Sequence, residues 1–406
     1  MSTGTGGNNS KDEAFPWHLG VYDAHCHPTD TMSSVEVIRK MKIRALTVMA
    51  TRGEDQELVV STADKHSVRS SDPEKWSEEE CIVPCFGWHP WFSHQMYIDE
   101  EGDEGTREEK LTGDAKIKHY QSVLLPSRDN PSDEDRQIFL SLPDPTPFSV
   151  FLAQTRHHLE RYPYALVGEI GLDRSFRIPE SWIDNQDLWA RRNHNLTPGG
   201  REGRRLTPFR CSPQHQKKIC QMQLRLAGEM GRGVSVHGVQ AHGAVFEVLQ
   251  ELWKGHEKEV LSKRERKKRG QDHPSIEGDM SSTEQSNRKP TPYPPRICLH
   301  SYSGNASNFK QYMNPAIPAQ IFASFSTAIN LSDVMEDETP ASFEEIVKTV
   351  PDHMVLVESD LHTAGDEMDR RLEDIVRRIC KIKDWGLEEG VEQLGENWRA
   401  FAFGSA

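Results

Sequence analysis

Val21-Tyr22-Asp23-Ala24-His25-Cys26-His27-Pro28 is the stretch on which the fold turns. Read as a β-strand, its two-residue period puts His25 and His27 on one face and Cys26 on the other. Two imidazoles then point at one spot. A strand end delivers them rigidly, and neutral imidazole is the commonest protein ligand for zinc-like metals. A lone His-x-His also occurs on ordinary surfaces and in cores. Later strand ends decide the matter, according to whether they bring carboxylates and further histidines to the same place.

Outward from this strand the chain alternates. Ser33 to Met41 reads as a helix with Ser33 as its cap, Arg44 to Ala50 as an apolar strand, and Asp55 to His66 as a second helix. A third strand, Ile82 to Gly87, runs into Trp88-His89-Pro90-Trp91. This β-α-β-α-β order predicts a parallel sheet wrapped by helices. Strands follow at 165–170, 233–237, 296–300, 319–325 and 354–360, and helices at 148–162, 213–230, 243–253, 342–350 and 366–382. Pro213 stands in the first turn of its helix and Gly231 stops it. Eight strands alternating with helices predict a single (β/α)8 barrel, of α/β class, over residues 21–401.

The 406 residues exceed what a bare barrel needs, and a mean hydropathy of -0.70 puts much of the excess in polar loops. Three insertions account for it, at about 93–147, 174–212 and 254–295. The first carries the acidic run Asp99 to Glu104 and reads as a solvated loop. The second carries arginines 174, 177, 191, 192, 201, 204, 205 and 210 against four acids, a local reversal of sign in a chain of net charge -14. The third holds Lys263-Arg264-Glu265-Arg266-Lys267-Lys268-Arg269, either a nuclear-localisation or phosphate-binding run or a solvated helix end. Residues 1–20, rich in Gly, Ser, Thr and Asn, read as a disordered tail with no apolar core of a signal peptide.

The acidic balance argues against a generally basic protein that coats nucleic acid. No run of about 18 apolar residues occurs, which removes a membrane-spanning helix from consideration. Seven cysteines without a Cys-x-x-Cys pair point to reduced thiols in a cytoplasmic or nuclear protein.

Metal-ligating residue types stand at the C-terminal ends of strands one (His25, His27), four (Glu169), five (His237), six (His300) and eight (Asp360). In a closed barrel these ends converge on one mouth, where barrel enzymes keep their active sites. Each position alone has an ordinary alternative: a satisfied core histidine, a helix cap at Asp360, a core arginine paired with Glu169. A buried carboxylate among apolar neighbours needs a cation or hydrogen-bonded partner in any case. Coincidence at successive strand ends favours ligands, and four histidines with two carboxylates suffice for two divalent ions.

Taken with their neighbours, these residues resemble the TatD-type metal-dependent hydrolases of the amidohydrolase-like superfamily. The matching pieces are Asp23-Ala-His25-Cys-His27, Gly87-Trp-His89-Pro, Gly168-Glu169-Ile-Gly-Leu-Asp173, Val236-His237, His300-Ser-Tyr-Ser-Gly304, Glu358-Ser-Asp360 and Asn397-Trp-Arg399-Ala-Phe401. The resemblance implies a deoxyribonuclease or other phosphodiesterase. It also implies that His25, His27 and Asp360 hold one ion, that His237 and His300 hold a second, and that Glu169 bridges them. The ions would be Zn, Mg or Mn, with Asp360 taking a proton from the attacking water and His89 contacting a phosphate. Two cations suit that chemistry independently, because they acidify water and neutralise phosphoryl oxygens.

Two departures stand out. Gly238-Val239 follows His237 where relatives often carry His-x-Arg, and His362 stands where a proline is frequent. Arg201, Arg204 and Arg205 of the second insertion are candidates for the missing phosphate grip, against the alternative that they merely solvate a loop or pair with the acidic run. The insertions also resemble a fungal branch associated with a subunit of the anaphase-promoting complex. That implies a second class of function, a protein-interaction scaffold with little turnover.

Overall fold

The computed structural model describes residues 13–99, 110–260, 290–332 and 339–404. Eight parallel strands form one sheet in sequential order: β1 (Tyr22–Cys26), β2 (Ala45–Met49), β3 (Ile82–Phe86), β4 (Leu166–Asp173), β5 (Val234–Val239), β6 (Arg296–Leu299), β7 (Gln320–Phe325) and β8 (Val355–Val357). The last strand curls back to the first. Asp360 N–H donates to the His25 carbonyl at 3.0 Å, and His27 N–H to the Leu361 carbonyl at 2.9 Å. The sheet is thus a nearly closed (β/α)8 barrel, as the alternation predicts.

Two apolar layers hold it. Between strands and helices lie Val48, Phe86, Val167, Ile170 and Val236 with Val59, Leu224, Val248 and Ile375. The barrel interior holds Tyr22, Ala24, Met49, Cys85, Leu166, Cys298, Phe322 and Leu356. Helix Leu387–Phe403 closes its lower end, with Trp398 stacked 4.4 Å from Tyr22 and donating its indole N–H to Thr47 Oγ1 at 3.0 Å. In the sequence this helix shows only as the Asn397-Trp-Arg399-Ala-Phe401 motif.

Strand phase changes twice, and each change serves the mouth. The pairing of β1 with β2 shifts between Asp23 and Cys26, and that of β4 with β5 shifts between Val167 and Ile170. Such irregularities re-aim side chains at barrel rims. In β1, Tyr22 and Ala24 face the interior and Cys26 faces the helices. His25 and His27 turn into the mouth together, as the period-2 reading of that short stretch expects.

The insertions depart from expectation. The described part of the first is folded: helices Gly113–Val123 and Asp133–Ser141 bury Ile117, Tyr120, Val123, Phe139 and Leu142 against Ile178 and Phe209 of the second insertion. Residues Leu124–Leu125 pair antiparallel with Arg210–Cys211. Neither insertion has enough apolar surface to read as a core alone. Together they build a shared one, the first giving six of its eight buried residues and the second Ile178 and Phe209, across a sequence gap that period analysis cannot bridge. The tail reading is revised only at its described end, where Phe15, Trp17 and Leu19 pack against the main core; residues 1–12 lie outside the described residues. The 33–41 helix is instead a 3₁₀ segment, Pro28–Lys40, started by the proline and kinked at Thr31. Residues 100–104 and the basic run 263–269 lie outside the described residues.

Three buried histidines seat this satellite layer on the barrel. His119 Nε2–H donates to the His94 carbonyl at 2.8 Å, and His215 Nε2–H is shared by the Ser93 and Met96 carbonyls at 3.0 Å each. Burial, with the neighbouring imidazoles, depresses His94 to about 3 and His119 to about 4. Their folded values lie below the ordinary 6.5, so the unfolded chain takes up the extra protons. The stability they contribute is complete above about pH 6.5 and drains away as pH falls toward 4. The melting temperature should therefore drop between about pH 7 and pH 5. His119→Gln, which keeps a donor but cannot titrate there, should flatten part of that drop; equal slopes in variant and parent would place the acid sensitivity elsewhere.

Candidate metal centre

Glu169 stands at the middle of the mouth, 3% exposed. Its two oxygens face different histidines. Oε2 lies 3.5 Å from His25 Nε2 and 3.4 Å from His27 Nε2. Oε1 lies 2.8 Å from His237 Nδ1, 3.0 Å from His300 Nε2 and 3.1 Å from His89 Nε2. Asp360, carried just past β8 in a left-handed backbone conformation (φ 54°), closes the first side with Oδ1 3.4 Å from His27 Nε2 and 3.8 Å from His25 Nε2.

The spacings suit a bound cation. His25 Nε2 and His27 Nε2 are 3.1 Å apart. A tetrahedral ion with bonds of about 2.0–2.1 Å sets its ligands roughly 3.4 Å apart. His25 and His27 keep to that kind of distance from each other and from both Glu169 and Asp360, at 3.1 to 3.8 Å. Among the described residues, three sets of ligand atoms lie within 4.8 Å of one another: His25–His27–Glu169, His25–His300–Asp360 and His89–Glu169–His237. Imidazole and carboxylate donors suit zinc, and the carboxylates also suit magnesium or manganese.

The rings are oriented from behind, as metal-ligating histidines usually are. Ser235 Oγ lies 2.8 Å from His25 Nδ1, Glu358 Oε1 lies 3.2 Å from His300 Nδ1, and Asp173 Oδ2 lies 3.2 Å from His237 Nε2. Asp173 is itself fixed by the Trp91 indole N–H at 2.6 Å, and Glu358 by the Ser301 hydroxyl. Asp23, buried, accepts from Ser359 N–H and the His25 backbone, which holds the Asp360 segment to β1. Asp173 and Glu358 sit inside the quoted motifs, but nothing in the sequence assigns them a role. Ser235 has one weak signal, its place two residues before His237 on the same strand face.

Electrostatics keep the carboxylates ionised. Burial alone would raise Glu169, but His89, His300 and His25 hold it well below the usual range. Asp360 is lowered to about 2 against the same burial cost by its His27 hydrogen bond and the nearby histidines. His27 is raised to about 9 because Asp360 and Glu169 outweigh its desolvation, while His25 is lowered by burial and by His300.

The other sequence candidates fall in different places. His89, 3% exposed, accepts the Trp91 N–H on Nδ1 at 3.2 Å, so its proton sits on Nε2 and points at Glu169. Arg204 is buried: it donates to the Glu180 and Gly200 carbonyls at 2.8 and 2.6 Å and lies 4.1 Å over the Trp182 ring, which leaves it committed to the loop. Arg201 and Arg205 are exposed. The second insertion does reach the mouth by another route, since Arg52 donates to the Pro198 carbonyl at 2.7 Å and Thr197 N–H to the Asp30 carbonyl at 2.8 Å.

A nearly closed parallel barrel that gathers histidines and carboxylates of metal-ligating type at its C-terminal mouth is the architecture of a barrel hydrolase. The chain belongs to the TatD family: the family model described as TatD related DNase matches residues 22–402. The chain is 34% identical over 381 residues to the Cut9-interacting protein scn1 of Schizosaccharomyces pombe, covering 94% of this chain and 98% of that one. It is 25% identical over 304 residues to a Saccharomyces cerevisiae protein named uncharacterized deoxyribonuclease YMR262W, covering 72% and 74%. Among solved structures, YJJV, a TatD homolog from Escherichia coli, aligns at 16% identity and a TM-score of 0.46, covering 94% of this chain and 97% of that one.

One contact tests how tightly the centre is built. Gly171 (φ 140°) lies in register with His237, and a Cβ there would stand 2.1 Å from the His237 carbonyl oxygen. Gly171→Ala should push β4 from β5 at His237 and cost more than about 2 kcal/mol. Divalent metal per chain, read by elemental analysis, should fall as well. A variant that kept both its melting temperature and its metal would show slack at this approach.

Proposed function

We propose that this protein is a metal-dependent phosphodiesterase, most specifically a deoxyribonuclease, working with two divalent ions. The observation that carries the reading is the division of Glu169: one carboxylate oxygen faces His25 and His27 and the other faces His237 and His300, as a bridging ligand requires. On this reading His25, His27 and Asp360 hold one ion and His237 and His300 the other. Divalent cations held there, Zn, Mg or Mn, would acidify water and neutralise phosphoryl oxygens.

The chain's own residues supply the rest. Asp360 is the least enclosed carboxylate of the set, its side chain 13% exposed against 5% for Glu169, and so is the one placed to take a proton from an entering water. His89 Nε2–H holds Glu169 in its split orientation. Asp173, Ser235 and Glu358 keep the rings aimed, so little reorganisation accompanies the reaction. DNA as substrate is supported by the family description and by the name of the yeast relative. We place its action in the cytoplasm or nucleus; the seven free, buried cysteines support this reading, and no helix among the described residues is long and apolar enough to cross a membrane.

A second reading has its own support. The S. pombe relative is named for an interaction with Cut9, and the insertions here build a folded layer beside the mouth. On that reading the barrel is a scaffold for a component of the anaphase-promoting complex, with little turnover.

A nuclease assay separates the two. With Mn, Mg or Zn supplied, the parent protein should cut single- or double-stranded DNA, and Asp360→Ala should lose at least about a hundredfold in rate, the scale of a general base. Parent and variant equally inert would favour the scaffold. Glu169→Gln should lower metal content at both sites, because an amide offers only one neutral oxygen to the pair. Loss of a single ion would make Glu169 a terminal ligand.

The exposed arginines are tested apart from the chemistry. Nucleic acid binds through cationic contacts whose strength falls with salt. Arg201→Ala with Arg205→Ala should weaken DNA binding and shallow its salt dependence, with metal content unchanged. An unaltered slope would leave these arginines as solvation of the loop.

A further inference from the structure

We propose that His362 is a substrate-contacting residue, whose imidazole hydrogen-bonds a phosphate oxygen of the bound diester at the edge of the centre. This rests on the phosphodiesterase reading and adds to it a group outside the ligand set.

Four observations carry it. The segment after β8 is fastened to the end of β1 by the His27 N–H bond to the Leu361 carbonyl, which brings His362 next to His27. The two rings lie 20° from parallel with centroids 5.2 Å apart, so His362 forms the next layer outward from a ring that itself touches Glu169 and Asp360. Its side chain is 63% exposed, whereas His27 is at 7%. Last, it is not a free surface histidine: Nδ1 lies 2.7 Å from Asp30 Oδ2.

The support behind that bond is deep. Asp30 Oδ1 accepts from Arg52 Nη2 at 2.7 Å, and Arg52, its side chain 6% exposed, also bonds Asp55, Thr51 and the Pro198 carbonyl. Gly199 (φ 148°) lets the second insertion reach Arg52, since a Cβ there would sit 2.0 Å from Arg52 Nε. Arg52 is therefore consumed in positioning and has no reach toward substrate. It anchors Asp30, and Asp30 fixes the ring.

Holding an exposed side chain in one orientation costs entropy, which this chain of contacts offsets. With Nδ1–H committed to Asp30, Nε2 is the ring's one remaining hydrogen-bonding atom, and it lies on the ring edge away from that bond. With Nδ1–H given to Asp30, Nε2 donates to an anion as part of the imidazolium, a form that the carboxylate behind the ring and the arriving anion both favour. The anion that a diesterase brings to this mouth is a phosphate. A diester centred over the ligand cluster extends its oxygens and flanking groups toward the rim, where His362 stands beside His27.

The test uses the full chain loaded with Mn²⁺, with two probes: inorganic phosphate by calorimetry and bis(p-nitrophenyl) phosphate in steady-state kinetics. The variants are His362→Ala and His362→Gln. For His362→Ala, the phosphate Kd and the diester KM should both rise, roughly 10- to 100-fold, the worth of one charge-assisted hydrogen bond. Its kcat should stay within about threefold and its metal content should match the parent's. His362→Gln, which retains an N–H donor at similar reach, should recover part of the phosphate affinity. An unchanged Kd and KM in His362→Ala overturns the contact. So does a loss of metal in either variant, which would make His362 a prop for His27. A parent protein that carries its ions but neither binds phosphate nor cleaves the diester overturns the phosphodiesterase reading itself, an outcome distinct from both.

Discussion

A carboxylate in an apolar barrel is expensive, and the structure of the mouth follows from how that cost is met. Glu169 is buried among the strand ends at 3% exposed, a position that would favour its neutral form. Histidines on both of its oxygens reverse the preference and keep it charged. The arrangement is reciprocal: the same carboxylate makes it tolerable to gather His25, His27, His89, His237 and His300 in one small volume. Removing either partner type leaves the other as uncompensated charge or as unsatisfied nitrogen. Cations fit such a set because they accept the lone pairs of all its members at once.

Backbone irregularity is what puts the carboxylate there. Regular period-2 strands would send neighbouring residues alternately to mouth and helix layer. The ladder shifts at Asp23–Cys26 and Val167–Ile170 change phase just where ligands are required. Gly171 then allows β4 and β5 to approach closely enough for Glu169 and Asp173 to hold His237 from both ring nitrogens. Stability is supplied at the other end of the barrel, where Trp398, Tyr22 and Phe401 fill the floor. The separation lets loops at the mouth vary without disturbing the core.

The insertions use that freedom. The first two build a common layer with its own apolar centre, seated on the barrel by buried histidines, and the second also reaches Arg52 and Asp30 at the rim. One surface thus joins the departures from a bare barrel to the site itself. Such a connection serves substrate selection in an enzyme and equally offers a partner protein a way to influence the mouth.

Sequence alone determined the barrel and its order of strands, because apolar runs punctuated by helices at this spacing have few other packings. It also identified His25, His27, Glu169, His237, His300 and Asp360 as a set, since strand-end position is a local property and parallel strands bring like ends together. Tertiary structure alone decided which atoms meet. That His89 turns to Glu169, that Asp173, Ser235 and Glu358 stand behind the rings, that Arg204 is spent on carbonyls and that Asp30 links His362 to Arg52 are all contacts between residues far apart in the chain. The shared core of the two insertions was hidden for the same reason. A periodicity reports only on a residue's own segment, whereas these contacts depend on loop paths and on ladder shifts that a few side chains select through close packing.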